Sequence, residues 1–173
     1  RIPDLIFVSV ASIVSASVLV PFFLERLRND SDQGRKFIDN VFSAFFIMII
    51  IASVLAYIFI PWLTRELLPG FANDPYLPEL ISSSRILLLS PILLGISNFL
   101  SSITQMYRRF LIYALSPVIY NVGIIIGILF FYPTYGINGL IWGVVIGAFL
   151  HMAIQMPLLI HNGKIPRLIL NID

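Results

Sequence analysis

Residues 41–63 read VFSAFFIMIIIASVLAYIFIPWL and contain no Asp, Glu, Lys or Arg. A helix needs about 20 mostly apolar residues to cross the hydrocarbon core of a bilayer. A charged side chain at the bilayer centre costs roughly 2.5 kcal/mol or more on insertion scales. This stretch therefore predicts a transmembrane helix.

Four further stretches share this character, and together they predict five spans, at residues 5–24, 41–63, 86–105, 110–132 and 137–160. The whole chain is 58% hydrophobic and 12% charged, whereas a soluble domain has about 25% charged residues. Its mean hydropathy is +0.94. We therefore expect an all-α fold, a polytopic transmembrane helical bundle that forms a single domain over residues 1–173.

The composition excludes several classes of function. The net charge is +2, but the basic residues are scattered over loops and form no stripe for nucleic acid. The chain has no cysteine, which excludes disulfides and thiolate chemistry. His151 and His161 have no carboxylate at helical spacing, and no phosphate-binding glycine loop is present. We expect no metal, no cofactor and no enzymatic activity.

The loops between the spans predict the orientation. Loop 25–37, turn 107–109 and tail 162–173 carry eight Lys and Arg, and the opposite side carries three. Basic loops remain in the cytoplasm, so we expect the tail inside and Pro69 outside. Pro61 and Trp62 are expected to close the second span at the outer interface. The chain starts with Arg1 almost inside a span, which we interpret as a piece of a longer protein.

Small and polar residues recur every four positions in the fifth span, at Gly139, Gly143, Gly147, His151 and Gln155. The glycines favour close helix packing. An intramembrane polar pair such as His151 and Gln155 normally faces the bundle interior or a wet cavity. Either a packing hydrogen bond or a transport role would explain this pair.

Other spans carry polar faces as well: Arg1, Asp4, Ser12 and Ser15 on the first, Asn98, Ser101, Ser102 and Gln105 on the third, and Ser116, Tyr120 and Asn121 on the fourth. Pro21, Pro91 and Pro117 are expected to break their helices. The pattern favours a polar interior cavity lined by kinked helices. Asp39, at a span end, is expected to have a capping or interfacial role.

The chain contains a series of short motifs: RIPD at 1–4, PGFA at 69–72, YRRF at 107–110, SPVIYN at 116–121, GINGLIWG at 136–143 and QMP at 155–157. In order and spacing they resemble the motifs of MurJ/MviN-type lipid II flippases. The opening RIPD is similar to the family's "RIPN", and the outer loop PGFA to its "PGF". The remaining similar segments are 107–110 with 116–121 (YRRF, SPVIYN) and 136–143 with 155–157 (GINGLIWG, QMP). The resemblance covers what would be helices two to six.

This resemblance implies a partial N-terminal lobe of a two-lobe exporter of the multidrug/oligosaccharidyl-lipid/polysaccharide superfamily. The lobes would rock around a central cavity and move the undecaprenyl-linked peptidoglycan precursor across the bacterial inner membrane. Membrane lipids and the remainder of the transporter chain would be its other partners. Alternatives are an exporter of another polysaccharide-lipid unit or drug, and a non-transporting membrane scaffold.

The implied substrate would contact polar groups of the bundle. Arg1 could hold the pyrophosphate through paired hydrogen bonds, with Asp4 beside it. The sequence departs from the family at Asp4, where the motif has Asn, and at Phe7 and Val8, where arginines are usual. The candidate substrate-binding residues are Arg1, Asp4, Ser12, Asn98, Gln105, Asn121, His151 and Gln155.

Overall fold

The computed structural model describes residues 31–67, 70, 75–106, 110–163 and 165–169. These residues form helices and connecting turns. The helices are α1 (Ser31–Leu67), α2 (Leu77–Leu87), α3 (Leu89–Met106), α4 (Phe110–Ile126), α5 (Tyr132–Tyr135), α6 (Ile137–Ala153) and α7 (Met156–His161). A π-helical turn, Gly127–Phe131, joins α4 to α5. The all-α fold is therefore confirmed.

Four helical segments of the described residues are long and apolar enough to cross a membrane: Gly34–Leu67, Leu77–Gln105, Leu111–Tyr135 and Ile137–His161. They correspond to the last four predicted spans. The first predicted span, 5–24, lies outside the described residues, as do Arg1, Asp4, Ser12 and Pro21.

Two predicted boundaries are wrong. Pro61 does not close the second span, because α1 continues through it to Leu67. A proline near the end of a helix removes only one hydrogen bond, and membrane helices tolerate it where polar groups re-pair. The carbonyl that loses its usual amide donor is that of Tyr57, four residues before the proline. Next to the proline, the Thr64 hydroxyl donates to the Ile60 carbonyl of the same helix at 2.7 Å.

The third span begins at Leu77, nine residues before its predicted start at residue 86, and therefore includes Glu79 and Arg85. The guanidinium of Arg85 stacks on the Tyr57 ring of α1, 4.3 Å from its centroid. Such a contact stabilises a cation beside apolar surface. The charge-free stretch 86–105 is therefore preceded, in the same span-length helix, by two charged residues.

A break at Leu88 divides this span into α2 and α3. The Leu88 amide donates to the Arg85 carbonyl at 3.3 Å, a tighter turn than an α-helix has. Pro91 follows in the first turn of α3, where it has no amide hydrogen to donate back to Leu87. The predicted break at Pro91 is therefore present. At Pro117 the predicted break is absent, because α4 continues through this residue to Ile126.

Helix α6 is the centre of the described bundle, since it packs against α2, α3 and α4. Helix α1 lies at the edge and packs against α2 and α3. An apolar cluster between α1, α3 and α7 forms the core, with Ile38, Phe42, Phe99, Leu100, Ile103 and Leu159 all buried. The rings of Phe42 and Phe99 lie 5.1 Å apart.

Close backbone packing through glycine joins α6 to α4 and to the π-helical turn that continues α4, and we call it the α4–α6 glycine contact. Gly123 faces Gly147, Gly127 faces Gly143, and the Phe131 carbonyl faces Gly139. From one contact to the next, the position moves four residues forward on one side and four residues back on α6, as expected for antiparallel helices. A Cβ on Gly143 would lie 2.5 Å from the Cα of Gly127, closer than a real Cβ can approach. The predicted packing role of the glycines is confirmed.

A leucine at Gly143 or Gly147 should therefore greatly lower the amount of folded protein. Ordinary overpacking costs about 1–3 kcal/mol, and here the obstacle is backbone that cannot turn aside. We expect a lower unfolding midpoint in detergent and less protein in the membrane. Gly70→Leu is the matched control, because a Cβ at Gly70 meets nothing within 4 Å. Normal folding of both variants would mean that the glycines face lipid.

Candidate functional site

A buried polar cluster joins α3 to the inner half of the last span. Ser97 and Ser101 lie one turn apart on α3, and His151 and Gln155 lie one turn apart where α6 passes into α7. The spacing of four places each pair on one helix face. Ser97 and Gln155 have no exposed surface. We call these four residues the polar cluster.

Gln155 makes three hydrogen bonds in the polar cluster. Its Nε2 donates to the Ser97 hydroxyl at 2.8 Å and to the His151 carbonyl at 3.1 Å. Its Oε1 accepts from the Ser101 hydroxyl at 3.0 Å. Both amide hydrogens and one carbonyl lone pair are thus used inside the protein. The side chain connects two helices and is closed to solvent.

His151 is joined to the same serine. The Ser97 hydroxyl lies 2.6 Å from Nδ1 of His151 and 3.2 Å from the His151 carbonyl oxygen. Either tautomer allows a hydrogen bond between Nδ1 and the hydroxyl, because Ser97 can donate or accept. On its other side the imidazole meets the Tyr120 ring of α4 nearly at a right angle, with centroids 6.4 Å apart. His151 therefore contacts both α3 and α4.

The hydrogen bonds of the polar cluster hold α3 against the last span. All three hydrogen bonds of the Gln155 side chain are made within the bundle, and the four residues include no carboxylate. Among the described residues, no three His, Cys, Asp or Glu side chains come together as a metal site. Of the two explanations for His151 and Gln155, the observed geometry matches the packing hydrogen bond.

The remaining described candidates lie apart from the polar cluster. The side chains of Asn98 and Asn121 are exposed, and that of Gln105 is half-buried. Asn121 donates to the Pro117 carbonyl of its own helix at 2.8 Å. Within the described ranges, none of these three side chains hydrogen-bonds to the cluster. They are polar groups on the outside of this part of the chain.

Sequence reasoning missed two polar contacts. Ser83 of α2 donates to Oδ1 of Asn138, at the start of α6, at 2.9 Å. Asp39 and Ser43 of α1 accept backbone amide hydrogens from Arg167 and Ile169 at 2.8 Å each. The spacing of four between Asp39 and Ser43 was a signal for a shared face. Nothing in the sequence indicated that the tail would occupy that face.

Replacing Gln155 with leucine should destabilise the bundle by about 1–2 kcal/mol, since an interhelical hydrogen bond in a membrane contributes roughly 0.6 kcal/mol and the serines lose their partner. The free energy of unfolding in bicelles measures the effect. Asn98→Leu is the control, because Asn98 neighbours Ser97 in sequence but is exposed. Equal stability of the Gln155 variant and the control would contradict the packing role.

Sequence comparison with known proteins points to one family. The profile of the family described as "Lipid II flippase MurJ" matches residues 1–172. A probable lipid II flippase MurJ of Buchnera aphidicola subsp. Acyrthosiphon pisum is 28% identical over 92% of this chain and 32% of its own length. The lipid II flippase MurJ of Burkholderia cenocepacia is 23% identical over 99% of this chain and 34% of its own length.

The chain therefore spans about a third of the length of these relatives. The match nevertheless extends over almost every residue of the chain. It covers all four described span-length helices, the α4–α6 glycine contact and the polar cluster. This chain belongs to the lipid II flippase MurJ family.

Proposed function

We propose that this chain is part of a transporter that moves the undecaprenyl-linked peptidoglycan precursor across the bacterial cytoplasmic membrane. The observation that carries the proposal is the family match over residues 1–172. The four span-length helices support it, because a flippase must enclose its path within the membrane. In this proposal the protein moves its substrate unchanged and has no catalytic role.

The proposed mechanism is alternating access, in which rigid parts of a transporter rock around a central site. Rigid parts need contacts that survive the movement. The α4–α6 glycine contact and the polar cluster supply such contacts on two sides of α6. We infer that α3, α4 and α6 move together as one unit of the transporter.

The proposed substrate contacts begin with Arg1. The pyrophosphate of the precursor carries charge that a planar guanidinium can bind through paired hydrogen bonds. Asp4 and Ser12 would share its helix face. Asn98, Gln105 and Asn121 are the described side chains still available for sugar or peptide groups. His151 and Gln155 would act indirectly, by holding α3 against α6.

The proposed location is the bacterial inner membrane, with the tail in the cytoplasm. Exposed aromatic residues support the position of the outer membrane–water interface. Trp62 lies near the end of α1, Tyr76 precedes α2, and Tyr132 and Tyr135 are the two ends of α5. Such residues concentrate where the bilayer meets water. The excess of Lys and Arg on the tail side supplies the direction.

Transport of the precursor is tested in a strain depleted of its own flippase. In the intact protein, Arg1→Ala should abolish complementation at unchanged membrane levels, and Arg1→Lys should rescue it only partly, because an ammonium cannot bind bidentately. Arg65→Ala, at the end of α1, is the control for loss of one positive charge.

Normal growth with Arg1→Ala would remove Arg1 from the substrate site. A wild-type protein that reaches the membrane and fails to complement would instead favour the related exporters or a scaffold. Flipping assays in proteoliposomes with the lipid-linked precursor and with a lipid-linked O-antigen unit then separate these two cases.

The orientation is tested at the two ends of the last span, Ile137–His161. The chain has no native cysteine, so Tyr135→Cys and Asn162→Cys each give a single thiol at an exposed position. A membrane-impermeant reagent added to intact spheroplasts should label position 135 fully and position 162 less than about a tenth as much. The reverse pattern would invert the proposed topology.

A further inference from the structure

Residues 165–169 form neither helix nor strand, and they contact α1, which is far from them in sequence. The backbone amide of Arg167 donates to Oδ1 of Asp39 at 2.8 Å. The amide of Ile169 donates to the Ser43 hydroxyl oxygen at 2.8 Å. Only the backbone of the segment is bound, since neither bond involves a side chain of the tail.

The two hydrogen bonds are possible because two spacings coincide. Amides two residues apart on an extended strand point the same way and lie about 6.6 Å apart. Side chains four residues apart on a helix share a face and lie about 6.0 Å apart along the axis. Asp39 and Ser43 are four apart on α1, so they meet the amides of Arg167 and Ile169 in register.

The two acceptor side chains on α1 are buried. Asp39 is 5% exposed and Ser43 is 1% exposed. The Ser43 hydroxyl donates to the Asp39 carbonyl at 2.7 Å, and the Arg167 carbonyl oxygen of the tail lies 3.4 Å from this hydroxyl. Water has little access to either side chain. A buried acceptor that loses its donor is costly, so the site favours the bound tail.

The chain is directed to this site by the end of α7. Gly163 has φ +61°, a backbone conformation that glycine adopts without strain. Its amide donates to the Ile160 carbonyl at 3.0 Å, which ends the helix. Leu159 is fully buried beside Ile38 and Phe42 of α1, and Pro166 is buried as well. Burial of Leu159 and Pro166 thus accompanies the two amide hydrogen bonds.

We propose that Asp39 and Ser43 are positioning residues that clasp the backbone of residues 167–169 and fix the direction in which the chain leaves the bundle. The clasp couples the last span to α1, so that any movement of one is transmitted to the other. Its role in transport rests on the proposed flippase function. Its role in holding the tail depends only on the contacts above.

Hydrogen exchange of the Arg167 and Ile169 amides tests the clasp in the intact protein, reconstituted in nanodiscs. In Asp39→Ala both amides should exchange at least about tenfold faster, because the acceptor of the Arg167 amide has been removed and the tail is no longer held against α1. Asp39→Asn should exchange like the wild type, since its Oδ1 still accepts. Arg167→Ala should also match the wild type, because it retains the backbone N–H.

Arg167→Pro provides a second disrupting variant if Asp39→Ala accumulates poorly. It removes one clasped N–H at a position whose side chain is exposed, and it should accelerate exchange at Ile169 by a similar factor. Unchanged exchange in the disrupting variants would overturn the clasp. Equal acceleration in Asp39→Asn and Asp39→Ala would show that the charge matters and not the acceptor, which also overturns it.

Transport of the lipid-linked precursor tests the coupling. Asp39→Ala and Arg167→Pro should transport at least about fivefold more slowly at equal membrane levels, and Asp39→Asn and Arg167→Ala at the wild-type rate. Faster amide exchange with unchanged transport would overturn the coupling and retain the clasp. A wild-type protein that transports no precursor would refute the proposed function and leave the exchange result standing.

Discussion

The backbone contact between α4 and α6 is the constraint on which the rest of the bundle depends. Lipid tails are as apolar as leucine, so helices in a membrane gain little from burying apolar side chains against one another. Close packing and interhelical hydrogen bonds must replace that driving force. Where Gly127 meets Gly143, the two backbones touch without intervening side chains. This contact sets the separation and rotation of α6.

The rotation of α6 decides where its polar residues lie. With the glycines of α6 turned toward α4, His151 and Gln155 reach Ser97 and Ser101 on α3. A second polar contact, between Ser83 and Asn138, joins the start of α6 to α2. Helix α1 then packs on α2 and α3, with Ile49 filling the space that Gly95 leaves open on α3. The tail closes over α1 through Asp39 and Ser43.

Much of this fold could be predicted from the sequence because its signals are local. Uncharged apolar runs identified the last four spans, and the spacing of Gly139, Gly143 and Gly147 predicted a packing face. The exact ends of the helices could not be predicted from Pro61 and Arg85. Helix α1 continues through Pro61 to Leu67. Arg85 lies inside a span-length helix, where the Tyr57 ring of α1 is its tertiary partner.

The site was harder to predict than the fold. Polarity identified His151 and Gln155 correctly as residues that face the bundle interior, but their partners depend on helix rotation. The tail contacts depend on a chain reversal at Gly163 and on buried side chains more than 120 residues away in sequence. Pairings of this kind arise from the folded arrangement and have no local pattern.

A double-mutant cycle on Gly127 and Gly143 tests the central claim most directly. Each alanine adds a methyl group to the same backbone contact, so the first substitution separates the helices and makes room for the second. We expect the free energy of unfolding lost in the double variant to be smaller than the sum of the single losses by at least about 0.5 kcal/mol. Additive losses, within about 0.3 kcal/mol, would mean that the two glycines do not share a contact and would contradict the arrangement of α4 and α6.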